Sequence, residues 1–306
     1  MLWESTDAEA ALQQRFRFAA AAQAVEWLLT TIPATYAITV RSVDRLVISA
    51  ANLLAWLTTP DGPLLVKCCA EPAAHVRLAQ IADLLVWLAQ QQLPVSPPLP
   101  TRSGTLQVRC DHLTVGLQRL LPGQALDPTD LGQAHTAGVI LARLHHLLAL
   151  YPRANALSTQ TPLPALAARI LTWAETYTAQ IADPALLADC RALTRHLTTT
   201  ALPPLTTQLV HNDYRAANLL WHEGTLRAVL DFEELRPGHR VNDLAWAAVH
   251  LGTRFHNWGP VAPTVHATFG AGYASILPLS AAEQQWLPLL MRWHGLTLAA
   301  AASVRP

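Results

Sequence analysis

The chain has 306 residues, 51% of them apolar and 14% charged, enough to bury one large or two modest cores and too apolar for a disordered chain. Its 21 basic and 21 acidic residues cancel, nine against nine before Gly123 and twelve against twelve after it, so no charge excess exists to attract nucleic acid or an anionic membrane. The N-terminal stretch has no apolar h-region and later apolar runs break well short of about eighteen residues, so a soluble, cytoplasmic protein without a membrane span is expected.

Apolar residues at helical spacing over 8–32 predict an N-terminal helix or helix pair that stops at Pro33. The period then shortens. TYAITV, RLVIS, NLLAWLTT and PLLVKCC, between Tyr36 and Cys69, are separated by polar breaks and by the turn Thr59-Pro60-Asp61-Gly62-Pro63, and read as antiparallel hairpins. Helical spacing returns over 72–92, with Val76, Ile81, Leu84, Leu85 and Leu88 on one face, until LPVSPPLP ends it. TLQVRC and LTVGLQRLL are two more strands before Pro122-Gly123. Beyond Asp127 the pattern is helical over 128–150, 163–180, 184–200, 240–251, 261–276 and 280–303, interrupted by the strand-like runs QLV, NLLW and RAVLDF within 207–232. Cys68, Cys69, Cys110 and Cys190 contain no C-x-x-C and read as buried thiols rather than zinc ligands or disulfides. The expected fold is α+β in two lobes, a β-rich lobe over 1–120 and a mainly helical lobe over 121–306 with a small β insert.

Twenty of the 21 basic residues are Arg, and the single lysine is Lys67, in GPLLVKCCA. Arg replaces Lys on most solvated surfaces but not where a compact ammonium must sit among phosphate oxygens, which marks Lys67 for a site. A second constellation lies in the β insert: His211-Asn212-Asp213-Tyr214-Arg215-Ala216-Ala217-Asn218, followed thirteen residues later by Asp231 in VLDFEE. Phosphoryl transfer needs a carboxylate to orient the attacking hydroxyl, hard oxygen ligands for magnesium and positive charge on the phosphates. Asp213 suits the first role and Asn218 with Asp231 the second. A metallophosphoesterase reading of the His-Asn-Asp string fails for want of D-x-H and G-D-x-x-D companions.

H-x-D-x-x-x-x-N followed by a strand-borne Asp resembles the aminoglycoside phosphotransferase and choline kinase superfamily, whose members share a two-lobed protein-kinase-like fold. The resemblance implies that Asp213 is the catalytic base, that Asn218 and Asp231 bind Mg2+, and that Lys67 contacts the α- and β-phosphates of ATP or GTP. It also places Asp243, in Asn242-Asp243-Leu244-Ala245, as a brace for the loop, and Arg215 near the γ-phosphate. The backbone of Leu117, Gln118 and Arg119 falls at the hinge that would hydrogen-bond adenine. His211 is expected to hold the loop backbone by a hydrogen bond. The chain departs from the family pattern in two places. Its nucleotide-binding turn, Ile48-Ser49-Ala50-Ala51-Asn52, lacks glycine, leaving Ser49 and Asn52 as the polar candidates, and the helix over 72–92 offers Asp83 where relatives pair the strand lysine with Glu.

With Asp213 and Asp231 reserved, the second lobe has more Arg than acid, so a polycationic aminoglycoside is disfavoured as acceptor; Glu234, beside Glu233, is the exception. Arg254, His256 and Trp258, in the turn after the 240–251 helix, are acceptor-site candidates. The expected activity is transfer of a γ-phosphate to a hydroxyl of a small molecule such as homoserine, a sugar or an antibiotic with few amines. The competing reading is a non-catalytic nucleotide-binding regulatory module, motivated by the two departures.

Overall fold

A computed structural model describes residues 7–49, 51–157, 165–181, 183–253 and 261–303. The chain divides after Pro122 into two compact units.

In the first unit, the Asp7 carboxylate accepts the amides of Glu9 and Ala10 and starts α1 (Ala8–Phe16), which stops where Arg17 turns left-handed at φ 58°. Next, α2 (Ala21–Tyr36) buries Ala24, Leu28, Ile32 and Tyr36, an i, i+4 stripe. It continues through Pro33, against the expected stop. Proline removes only the donor to the Leu29 carbonyl, and Leu29 is 40% exposed, so water can serve that oxygen. TYAITV is consequently not a strand: Tyr36 ends the helix, and β1 (Ser42–Ile48) begins six residues later.

β2 (Asn52–Thr59) and β3 (Gly62–Cys69) form a hairpin in which Thr59 faces Gly62 across Pro60-Asp61. After α3 (Ala74–Gln90) come β4 (Val108–Cys110) and β5 (Leu113–Arg119), and the five antiparallel strands lie in the order β1-β2-β3-β5-β4. On α3, Ile81, Leu84, Leu85 and Leu88 are buried as expected, but Val76 is 64% exposed, because the buried face begins only after the first turn.

Helices α1 and α2 cover one face of the sheet, packing on Leu53, Ala55 and Leu57 of β2, Leu64, Val66 and Cys68 of β3, and Val115 and Leu117 of β5. Side chains alternate along a strand, so Lys67, between Val66 and Cys68, stands on the opposite face beside Leu54 and Gly116, its register partners.

The second unit opens with β6 (Gln124–Ala125) and α4 (Leu131–Leu150), capped by the Asp130 carboxylate. It continues with α5 (Leu166–Tyr177), α6 (Pro184–Thr199), β7 (Gln208–Val210), β8 (Leu219–His222), β9 (Thr225–Val229), β10 (Arg236–Gly238), α7 (Arg240–His250), α8 (Pro263–Ile276) and α9 (Ala281–Ser303). β6-β8-β9 form one small sheet and β7-β10 another. β6 (Gln-Ala) and β10 (Arg-Pro-Gly) contain no apolar or β-branched run, which is why they are missing from the sequence expectation. Leu166, Ile170, Cys190, Leu193, Val241, Trp286, Leu290 and Trp293 bring α5, α6, α7 and α9 around one core. No described helix is long and apolar enough to cross a membrane, and the four cysteines are free.

Helices α4 and α8 approach closely. A Cβ on Gly138 would overlap the Phe269 carbonyl oxygen, and one on Gly272 the His135 carbonyl oxygen, so two reciprocal glycines let these backbones touch. Overpacking of this kind costs about 1–3 kcal/mol. Gly138→Ala should therefore lower the urea midpoint without changing the slope of the unfolding transition, and a midpoint equal to the parent protein's would refute the contact.

Candidate active site

The loop between β7 and β8 is shaped by side chains that spend their polar groups on its backbone. Asn212 reverses the chain at φ 63°, a region Asn tolerates better than most residues, and its Nδ2 donates to the carbonyls of Val210 and Glu234 at 3.4 and 3.2 Å. His211 is buried. Its Nδ1 accepts the Asp213 amide at 3.2 Å, which leaves the ring proton on Nε2 to be donated to the Leu230 carbonyl at 3.1 Å. Burial pushes this imidazole below the ordinary histidine value, outweighing Asp243 and Asp213 nearby, so the neutral tautomer is the stable one. The sequence expectation that His211 holds the loop matches this geometry.

Tyr214 is fully buried, with its hydroxyl donating to the Ala137 carbonyl at 2.8 Å, and it pins the loop to α4 while Asp213 next to it remains partly exposed. The amides of Ala216 and Ala217 reach the carbonyls of Leu251 and Thr253 at 3.1 and 3.4 Å, so the C-terminal end of α7 holds the far side.

Within this frame three candidate residues meet. Arg215 donates from Nε to Asp213 Oδ1 at 2.9 Å, and Asn218 donates from Nδ2 to Asp213 Oδ2 at 2.6 Å and to the Asp213 carbonyl at 2.8 Å. Burial raises the Asp213 carboxyl above the ordinary carboxylate value, and the Arg215 cation holds back part of that rise. Because the Asn218 amide nitrogen is committed to Asp213, its Oδ1 is the atom presented elsewhere, a hard oxygen of the kind Mg2+ takes.

Asp231 was expected on a strand but lies two residues beyond the end of β9, at φ 60° and exposed. The Leu230 amide bonds the Asn218 carbonyl at 2.8 Å and Leu219 pairs Val229, so Asn218 and Asp231 sit at the same end of the β8-β9 hairpin. An amide oxygen and a carboxylate at one hairpin end are a donor set that fits Mg2+.

Asp243 is 1% exposed and accepts the His211 and Asn212 amides at 3.0 and 2.9 Å and His145 Nε2 at 2.9 Å. Burial alone would raise its carboxyl, but these bonds, His145 first, bring it below the usual carboxylate value. His145 and Tyr273, whose hydroxyl meets His145 Nδ1 at 2.9 Å, were not expected. The sign available in the sequence was a histidine on the apolar stripe of the 128–150 helix, in line with Leu141 and Leu148.

In the first unit, Lys67 is half-buried at the middle of β3 and Asp83 exposed on α3. The nucleotide-turn candidates close on themselves: Ser49 Oγ donates to the Asn52 carbonyl at 3.2 Å and accepts its amide at 3.1 Å, while Arg15 of α1 donates to the Ser49 carbonyl at 2.9 Å. Leu117, Gln118 and Arg119 lie inside β5, paired with Val66, Leu65 and Leu64 on one side. On the other side the Leu117 carbonyl accepts the Leu99 amide, Gln118 bridges Pro98 and the Arg119 carbonyl accepts Ser96 Oγ. The Leu117 and Arg119 carbonyls are thus taken up within the first unit. Glu234 is exposed, 3.8 Å from Arg236. Arg254, His256 and Trp258 lie outside the described residues.

Residues 43–284 match the sequence profile of the phosphotransferase enzyme family. The chain belongs to this family. As a phosphotransferase it shares its fold with small-molecule kinases. It is 27% identical over 243 residues to the homoserine kinase of Caulobacter sp. (strain K31), spanning 77% of this chain and 72% of that one. The structure of the amicoumacin kinase hAmiN in complex with AMP-PNP, Ca2+ and Ami superposes with a TM-score of 0.66 at 17% identity, covering 91% of this chain and 85% of the other. The macrolide 2'-phosphotransferase MphH from Brachybacterium faecium gives 0.60 at 19% identity, with 91% and 97% covered.

The Asp243 carboxylate in this phosphotransferase contributes stability above the usual carboxylate pKa, and the contribution is lost as pH falls through its depressed value. Asp243→Asn leaves two loop amides facing a weaker acceptor and should cost about 3 kcal/mol at neutral pH. Urea titrations from pH 7 down to pH 3 should show the gap to the parent protein narrowing in acid; a pH-independent gap would contradict the assignment.

Proposed function

We propose that this phosphotransferase uses ATP or GTP with Mg2+ to phosphorylate a hydroxyl group of a small neutral or zwitterionic molecule. The observation that carries the reading is the single loop in which Asp213, Arg215 and Asn218 converge on one partly exposed carboxylate, with Asp231 at the adjoining hairpin end. Asp213 would orient the acceptor hydroxyl and take up its proton. Arg215, already beside Asp213, would place its cation where charge develops on the transferred phosphoryl group. Asn218 Oδ1 and Asp231 would hold the metal, which when bound neutralises the triphosphate. Lys67 would pair with the α- and β-phosphates, and Asp83 is the acid nearest in sequence to serve as its partner on α3.

The relatives support the cofactor reading, since the amicoumacin kinase structure holds a nucleotide analogue and a divalent cation. For the acceptor, the homoserine kinase relative favours a small amino alcohol or hydroxy amino acid, and the charge balance of the second unit is consistent with a zwitterion. Free thiols in all four cysteines favour a reducing, cytoplasmic setting.

The test is nucleotide consumption with Mg2+ over a panel of hydroxylated compounds that includes L-homoserine. Asp213→Asn should lower turnover by on the order of a hundredfold or more while leaving nucleotide affinity within about threefold. A protein that binds nucleotide but shows no turnover to lose would be a regulatory module instead. In the active enzyme, turnover requires ionised Asp213 and so falls on the acid side through a pKa raised by burial. Arg215→Gln removes the cation that restrains that rise, so the acid limb of kcat should move to higher pH; an unmoved limb would dissociate Arg215 from Asp213.

A further inference from the structure

Behind the loop lies a buried chain of polar side chains that the proposed chemistry does not use. It runs from Tyr273 through His145 to Asp243, with the Arg240–Glu283 ion pair beside it. Ser280 and Glu283 cap the start of α9 reciprocally: the Ser280 amide reaches Glu283 Oε2 at 2.8 Å and the Glu283 amide reaches Ser280 Oγ at 3.3 Å. The same carboxylate takes Arg240 Nε and Nη2 at 2.5 and 2.6 Å, a two-pronged pair at the first residue of α7. The Arg240 cation and the Tyr273 hydroxyl are electrostatic neighbours. Tyr273 and His145 are both 0% exposed, and the reciprocal glycine contact of α4 with α8 brings them together.

The direction of every proton in the inner part of this chain follows from its end. Backbone amides only donate, so the Asp243 carboxylate, which accepts those of His211 and Asn212, is an acceptor on both oxygens. His145 Nε2 must then donate to Oδ2, its Nδ1 in the uncharged ring must accept, and the Tyr273 hydroxyl must donate to it. A proton on Nδ1 would instead turn a second donor toward the Tyr273 hydroxyl, and the hydroxyl would then have to accept.

We infer that Tyr273 and His145 are positioning residues for phosphoryl transfer: a one-way hydrogen-bond chain, headed at Tyr273, holds His145 in the Nε2–H tautomer and keeps Asp243 an acceptor for the two amides that aim Asp213. This rests on the phosphotransferase reading of Asp213, but the proton arrangement itself is measurable without turnover. The chain is a property of how α4, α7 and α8 meet.

The test uses the full chain labelled with 15N-histidine, with His145 assigned by the signals missing from His145→Gln, together with kinetics of the variants. In the parent protein the ring of His145 should carry its proton on Nε2 alone. Tyr273→Phe, which removes one oxygen and little volume, should move the His145 Nδ1 resonance and the backbone amide resonances of His211 and Asn212, and lower kcat by on the order of tenfold with the nucleotide KM within about twofold. His145→Gln keeps an N–H near Asp243 and should retain several times the kcat of His145→Leu. Thermal melts identify any variant that fails to fold, and the parent spectrum remains decisive in that case. A His145 ring protonated on Nδ1 in the parent overturns the inference. So do loop amide resonances and kcat unchanged by Tyr273→Phe, or equal kcat for the Gln and Leu variants. If the parent shows the Nε2–H ring but turns over no nucleotide with any hydroxylated compound, the phosphotransfer reading fails and the positioning role falls with it, while the proton arrangement stands.

Discussion

One buried negative charge organises the second unit. The Asp243 carboxylate is almost wholly removed from water, and such a charge is tolerated only when its lone pairs are filled by donors of good geometry. Two of those donors are consecutive backbone amides of the loop. Meeting the carboxylate therefore dictates the path of the chain at His211 and Asn212, and the left-handed turn at Asn212 is the price of presenting both amides at once. Everything downstream in the loop takes its direction from there: Tyr214 turned inward onto α4, Asp213 turned outward, Asn218 folded back to Asp213.

The loop shows a division between residues satisfied inside the fold and Asp213, the residue proposed to act. His211, Tyr214 and Asp243 have their polar atoms bonded and their side chains buried, and they gain from folding. Asp213 is held in a setting that disfavours its charge, with one arginine to offset the loss. A carboxylate kept in that condition is a better proton acceptor than one in water, which is what a group orienting an alcohol requires. The surrounding bonds supply the rigidity that makes such a placement stable.

The first unit solves a simpler problem. Five antiparallel strands have two faces, and α1 and α2 cover one of them with a continuous apolar layer. Lys67 stands on the other face between two core residues, a consequence of the two-residue repeat of a strand. The segment before β2 has no glycine; there the Ser49 hydroxyl bonds the Asn52 carbonyl, and an arginine from α1 donates to the Ser49 carbonyl. Side-chain hydrogen bonds thus do at this turn what backbone freedom would do in a glycine-rich one.

Much of this was legible in the sequence, because it is set by interactions between residues close in the chain. Helices and most strands followed from apolar period; Pro60-Asp61-Gly62 marked the hairpin; and the H-x-D-x-x-x-x-N spacing brought Asp213 and Asn218 together since five residues of loop span one hydrogen bond. Four features were decided by partners distant in the chain. The continuation of α2 through Pro33 depends on which side of the helix meets solvent, and the exposure of Val76 on where the buried face of α3 begins. The engagement of the Leu117 and Arg119 carbonyls depends on a segment twenty residues earlier lying along β5. The partnership of His145, Tyr273 and Asp243 joins three helices across separations of 98 and 128 residues. Periodicity reports which side of an element is apolar but not which element will face it, so the sequence by itself determined the elements and the residue types of the loop, and only the tertiary structure decided which buried polar groups complete one another's hydrogen bonds.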